Sequence, residues 1–166
     1  MRRSDRELTD KQAIKEIFRK SDTCRIAFAV NHIPYIVCMN YGFEWTGEFP
    51  LLYFHCAHEG RKLDMMDQNP FVCFQLDTSH ELEYEREKVY CTMRYESIVG
   101  MGYLEKVTGE AERKKGLDLL MDHHGSPVPE EYPVSSMLRT TVLRLKVSEL
   151  AAKKNGSFSK RIGAGK

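Results

Sequence analysis

The chain is expected to be mainly β (α+β), a small barrel of antiparallel strands with a few flanking helices. Three observations predict this. Apolar runs rich in β-branched and aromatic residues recur along the sequence (CRIAFAV, YIVCMNYGF, LLYFHCA, FVCFQLDT, VYCTMRYESIVGMGYLEKV), and polar or Gly/Pro-containing links separate them. Helical spacing is confined to short stretches between or beside those runs. The 166 residues suit one domain, large enough to bury a core without disulfides or a structural metal.

Taken in order, Thr9 and Gln12 have the form of a capping box. Ala13, Ile14, Ile17 and Phe18 then follow at helical spacing, which predicts a helix over Asp10 to Lys20. CRIAFAV is a strand, Asn31 to Pro34 a turn, and YIVCMNYGF a second strand, because a proline at a strand's start costs no ladder bond. Glu44 to Pro50 is a loop carrying the only tryptophan, and LLYFHCA is a third strand. These three are expected to form a meander. Leu63, Met66 and Met65 mark a short helix that Asn69-Pro70 ends. FVCFQLDT is a fourth strand, and the charged stretch Glu81 to Lys88 is a solvated strand or hairpin edge. Gly100 and Gly102, inside the long run that follows, suggest a bulge or bend. Glu110 to His124 is a helix with Ala111, Leu117, Leu120 and Met121 on its apolar face. A proline-rich loop leads to a last strand in MLRTTVLRLKVSEL, ending in a helical turn. The expected organisation is one domain over 1–150 and a basic, flexible tail over 151–166.

Twenty-five Lys and Arg oppose twenty-four Asp and Glu, giving +1. Nothing global therefore draws the chain to nucleic acid or an anionic membrane, and any anion site must be local. MRRSDRELTDKQ has basic residues but no apolar stretch behind them, so it is not a signal peptide. No run approaches the length of a membrane helix. Both point to the cytoplasm. The five cysteines lie in strand-like runs without C-x-x-C spacing and are expected to be buried, reduced thiols.

LLYFHCAHEGRKLDMMDQNP carries the most chemistry. A strand ends at His55-Cys56, and Gly60-Arg61-Lys62 opens a helix. The dipole of a helix start disfavours cations there, unless an anion sits between them and the free NH groups. Gly60 would let backbone approach a phosphate. Arg61 and Lys62 are thus a candidate phosphate grip, or else solvated surface charges. No Cys/His cluster has zinc spacing, and His55 and His58 need not converge, so no metal site is expected. Gly100-Met101-Gly102 lacks the helix that a dinucleotide fingerprint needs.

FHCAHEGRK resembles the phosphate-binding stretch of the pyridoxamine-phosphate-oxidase-like flavoproteins. MRRSDREL, CRIAFAV, PYIVCMNYGF, LYFHCAHEGRKL, NPFVCF and MRYESIVGMGYLE, in that order, resemble its nitroimidazole-resistance (Nim) branch. The resemblance spans roughly residues 1 to 150. It implies an FMN-binding split barrel working as a homodimer with the flavin at the interface; FAD would satisfy the same grip. The family's phosphate-gripping Arg and Lys fall on Arg61 and Lys62, and its Ser falls on Gly60, which removes one hydroxyl donor. The strand laid along the flavin ring falls on Val37, Cys38, Met39 and Asn40, and a further strand contact falls near Ser97. A histidine lining the Nim active site falls on His55. The implied activity is flavin-dependent reduction of a small planar acceptor of the nitroaromatic (5-nitroimidazole-like) kind, the flavin supplying the electrons. A non-enzymatic flavin carrier or sensor, or a split barrel holding haem or deazaflavin, would share these features.

Overall fold

The computed structural model describes residues 4–86 and 90–156. After a 3-10 turn at Ser4–Arg6 the elements are β1 (Glu7–Leu8), α1 (Lys11–Lys20), β2 (Cys24–Val30), β3 (Ile33–Met39), β4 (Gly42–Glu44), β5 (Leu51–Cys56), α2 (Arg61–Gln68), β6 (Phe71–Glu85), β7 (Tyr90–Lys106), α3 (Glu110–His123), α4 (Val134–Met137) and β8 (Thr141–Asn155). The fold class is the expected one: mainly antiparallel β with a few helices. The strand order is β3-β2-β6-β7-β8-β5-β4, with β1 on β8. No helix among the described residues is long and apolar enough to cross a membrane.

The chain forms two compact units. The first comprises Met1–Ser21, Leu76–Val99 and Ala151–Lys166. Its helix α1 is capped by Asp10, whose carboxylate accepts from the backbone NH groups of Gln12 and Ala13. The cap is therefore Asp10 and not Thr9: Asp offers two acceptor oxygens to the free NH groups, a device worth about 1 kcal/mol. Ile14, Ile17 and Phe18 are buried, as their spacing predicts. Nearly buried Glu96 gathers Lys20, Lys154 and the Ser79 hydroxyl. Burial pushes its carboxyl up, and the Lys154 ammonium more than offsets this, holding it below the usual value.

The second unit holds Asp22–Gln75 and Gly100–Leu150, and with them the phosphate-loop candidates. β2 and β3 form a two-residue hairpin, Val30 opposite Ile33, with Asn31 and His32 at φ 50° and 64°. Such turns need positive φ at both central residues, and Asn adopts it readily. Ile33 and Pro34 thus belong to the strand rather than to the turn. YIVCMNYGF divides at Asn40 into β3 and β4. The meander does not form: β5 pairs with β4 on one side and β8 on the other, so that His55 faces Val142 and Cys56 faces Thr141.

Gly100 and Gly102 lie within unbroken strand. A Cβ on Gly102 would stand 2.2 Å from the Lys146 carbonyl oxygen, and one on Gly100 would stand 2.5 Å from the Phe74 ring. Close approach, not a bulge, selects glycine there. β8 runs on to Asn155 without a helical turn, because Glu7 and Leu8 pair with Lys153 and Ala152 and hold that stretch extended. The rest of the expected tail, like Lys88 of the charged stretch, lies outside the described residues; β6 itself continues to Glu85. All five cysteines are free, but only Cys24 is buried, and Cys38 and Cys91 are exposed. Strand alternation turns those two outward.

Gly42 is where α3 meets the sheet. A Cβ there would lie 2.3 Å from the Leu119 backbone carbon. The Gly42→Ala variant is expected to lose about 1–3 kcal/mol, read as a lower urea midpoint at unchanged slope. Wild-type stability would mean that α3 does not rest on β4 this closely.

Candidate functional site

β5 delivers the site. Leu52, Tyr53 and Phe54 are buried, and His55 turns outward. The chain then bends through Ala57, His58 and Glu59 to Gly60 at φ 130°. That angle is one that residues with a Cβ rarely adopt. The Gly60 carbonyl accepts from Leu63 NH at 2.8 Å and starts α2. No side chain caps this helix. The NH groups of Arg61 and Lys62, which precede that bond, are therefore open to an external acceptor. Leu63, Met65 and Met66 are buried and fix the helix; at its end the Asn69 amide donates to the Ala29 carbonyl of β2, at 3.0 Å.

Arg61 and Lys62 both sit in that first turn. The Arg61 guanidinium lies over the Tyr35 ring of β3, 4.6 Å from its centroid. Lys62 is half-buried and near the Cys56 thiol; burial pushes that thiol up, and the Lys62 and Lys106 ammoniums only partly oppose it. That upward shift disfavours the thiolate at Cys56. Among the described residues no carboxylate pairs with Arg61 or Lys62. Two cations without a carboxylate partner, at the end of a helix that repels them, make this a candidate anion site.

The loop before Gly60 is held from behind. His58 Nδ1 is 2.7 Å from Thr141 Oγ1, and its Nε2 bonds the Leu138 carbonyl oxygen. His58 is thus a positioning residue, not a ligand.

On β3, Val37 is half-buried and Met39 buried on the inner face, while Cys38 is exposed on the outer face opposite Arg25. Asn40 follows, exposed. Asn40 and His55 line one cavity of about 350 Å3, whose far wall is the C-terminal half of α3 and the α4 segment. Neither side chain has a hydrogen-bond partner among the described residues. Arg113 donates to the Met137 and Thr140 carbonyls and pins α4 to α3. Tyr132 donates to Asp118 at 3.0 Å, and burial together with that carboxylate pushes its hydroxyl up to about 12. Ser97 is half-buried on β7 in the first unit and so belongs to a different unit from this site.

The second unit therefore brings together Gly60, Arg61 and Lys62 at one place and Asn40 and His55 at another. Tyr35, His58 and the α3–α4 wall with His124 were not anticipated. Strand alternation places Tyr35 on the same face as Val37 and Met39. His58 depends on contacts with Leu138 and Thr141, eighty or more positions distant, for which spacing offers no signal. The His58→Ala variant is expected to lose about 0.5–1.5 kcal/mol per hydrogen bond. Its amides at 57–60 should exchange faster while β2 and β3 stay protected. Unchanged exchange at 57–60 would mean that His58 does not hold the loop.

The sequence profile of the pyridoxamine 5'-phosphate oxidase family matches residues 10–154. No protein of curated function matches. Among solved structures, a proposed 5-nitroimidazole antibiotic resistance protein from Bacteroides thetaiotaomicron VPI-5482 is 28% identical, with a TM-score of 0.78 over 89% of this chain and 86% of that one. The flavocytochrome Anf3 from Azotobacter vinelandii is 15% identical, with a TM-score of 0.75 over 100% of this chain and 78% of that one. An FAD- and haem-binding protein from Mycobacterium smegmatis is 16% identical, with a TM-score of 0.75 over 97% and 80%. The last two likenesses concern the fold alone. With a profile that matches residues 10–154, this chain belongs to the pyridoxamine 5'-phosphate oxidase family.

Proposed function

We propose that the chain binds FMN and works as a flavin-dependent oxidoreductase that reduces a small planar acceptor of the nitroaromatic kind. The observation that carries this reading is the unpaired Arg61–Lys62 couple at the uncapped start of α2. Family membership and the 28%-identical resistance protein support it.

Arg61 and Lys62 would hold the flavin phosphate, with the NH groups around Gly60 supplying the contacts that the family's Ser gives elsewhere. FAD would use the same grip through its own phosphates. The backbone of Val37, Cys38 and Met39 would lie along the ring system, and Asn40 and His55 would offer hydrogen bonds at the acceptor's edge. A bound flavin supplies hydride or electron transfer. His55, outward and unpaired, is the group placed to give or take the accompanying proton.

The working unit in this reading is a homodimer. Ile36 stands opposite Ala27, which in turn stands opposite Cys73, so three strands share one outward apolar row. Phe71 and Tyr103 stack beside it, with ring centroids 5.0 Å apart. Ile36 is 63% exposed and Tyr103 55%. A two-fold partner presenting the same face would cover both. Five free cysteines suit the cytoplasm, where thiols stay reduced.

The visible spectrum of the purified protein, with the released chromophore identified by mass, tests the cofactor. FMN is expected. Each charge-assisted contact is worth about 1.5–3 kcal/mol, so Arg61→Ala and Lys62→Ala should each weaken FMN roughly ten- to a hundredfold. A protein that stays colourless with added FMN would sink the reading. For the dimer, Ile36→Asp should shift sedimentation from twice the chain mass to the chain mass; a monomeric wild type would overturn it.

A further inference from the structure

The first unit has a cavity of its own, which the flavin reading does not use. The end of α1, the β6–β7 pair and the end of β8 surround it, and every residue lining it belongs to that unit. It measures about 440 Å3, within the roughly 300–1,000 Å3 range of ligand pockets. No Leu, Ile, Val, Phe or Met lines it. The apolar surface it offers is the Tyr95 ring and the stems of its long cations.

Glu96 is the buried carboxylate of this wall, its side chain 11% exposed. Lys154 and the Ser79 hydroxyl bond it. Ser79 is held at φ 62° to do so, a conformation that few residues besides glycine and asparagine adopt. Glu96 is thus satisfied from within the wall. Lys20 stands 3.7 Å from it and, among the described residues, makes no hydrogen bond. Arg94 gives one nitrogen to Glu81 at 2.8 Å, and the rest of its guanidinium has no partner among the described residues. The Tyr95 hydroxyl accepts from Arg6 Nη1 at 3.3 Å, which leaves its own hydrogen to donate. Arg6 itself has a buried Nε without a partner.

The cavity therefore has three kinds of donor to spare: an ammonium, a guanidinium and a phenol. The charges agree. Arg6, Lys20, Arg94 and Lys154 stand against Glu81 and Glu96, while His80 is closed on Asp77 at 2.6 Å. A phosphate monoester carries roughly two negative charges near neutral pH and three acceptor oxygens. It meets both the surplus charge and the spare donors; a carboxylate has one charge and two oxygens. Glu81 uses one oxygen on Arg94 and has the other for a hydroxyl of the ester's body.

We propose that this cavity is a second anion site, which takes a phosphate monoester on a small hydroxylated body, of the sugar-phosphate class. It is independent of the flavin reading, whose phosphate grip lies in the other unit.

Titration of the 15N-labelled protein with ribose 5-phosphate, in a buffer free of phosphate, tests this. The amides of Ser79, Arg94, Tyr95 and Glu96 are expected to shift. Affinity read there should exceed that for ribose by roughly tenfold or more, and that for inorganic phosphate or gluconate by about threefold or more. Lys20→Gln and Arg94→Gln should each weaken ribose 5-phosphate roughly tenfold. Their melting temperatures should stay unchanged, because Lys154 still holds Glu96 and the Arg94–Glu81 pair is exposed. Tyr95→Phe, which removes only the hydroxyl, should weaken it about threefold and keeps the test open if either variant does not fold. Shifts confined to residues 60–62 would overturn the site, as would equal affinity for ribose, phosphate or gluconate, or wild-type binding by a folded Arg94→Gln. A colourless protein whose amides at 79 and 94–96 still shift keeps this site and loses the flavin.

Discussion

The register of β5 on β8 is the constraint from which the site follows. Leu51 opposite Lys146 through Cys56 opposite Thr141 is six residues of continuous pairing, with Leu52, Phe54, Leu143 and Leu145 all buried. A slip of one residue would turn His55 inward and Phe54 to solvent. It would also carry Thr141 away from His58 and the Gly60 turn out of line with α2. The strand pair therefore fixes two things together: which side chains leave the sheet at its end, and where the helix that follows begins.

From that helix start the electrostatics are local. A chain with a net charge of +1 cannot gather an anion by its overall field. What it has instead is local: two cations where the peptide dipoles already point the same way, at an end left uncapped. Such a turn is less stable by itself than one bearing Ser or Asp at the cap. Asp10 of α1 shows that the chain caps a helix where only stability is required. α3 also starts uncapped, at Gly109, but opens on Glu110 and Glu112; α2 opens on two cations, and that is what sets it apart.

Much of this was legible in the sequence because it is written in short range. The strand runs, the α2 stripe of Leu63, Met65 and Met66, and the Gly60-Arg61-Lys62 start are each contained within a few residues, and local physics decides them. What was not legible depends on partners far along the chain. The meander is broken at Asn40, where the second run divides: its first half pairs with β2 and its second with β5, whose other edge takes β8, about ninety residues on. Gly100 and Gly102 were read as a bend, although the cause is the passage of Lys146 and Phe74 beside them. Thr9 lost the cap to the neighbouring Asp10, where two acceptable residues competed at adjacent positions. The cavity opposite His55 was invisible because its far wall comes from α3 and the α4 segment. Those stretches show only an apolar stripe and a proline-rich link.

The tether behind the phosphate loop has a further property, set by the kinds of atom it joins. The Leu138 carbonyl can only accept, so His58 Nε2 carries the hydrogen in that bond. Thr141 offers a hydroxyl, which can donate to a bare Nδ1 or rotate to accept from a protonated one. Both bonds therefore persist whether the ring is neutral or doubly protonated. A carbonyl in place of the hydroxyl would have tied the loop's geometry to the acidity of its surroundings. With threonine there, the tautomer of the neutral ring is fixed, and the loop's two anchors do not depend on which form the ring takes.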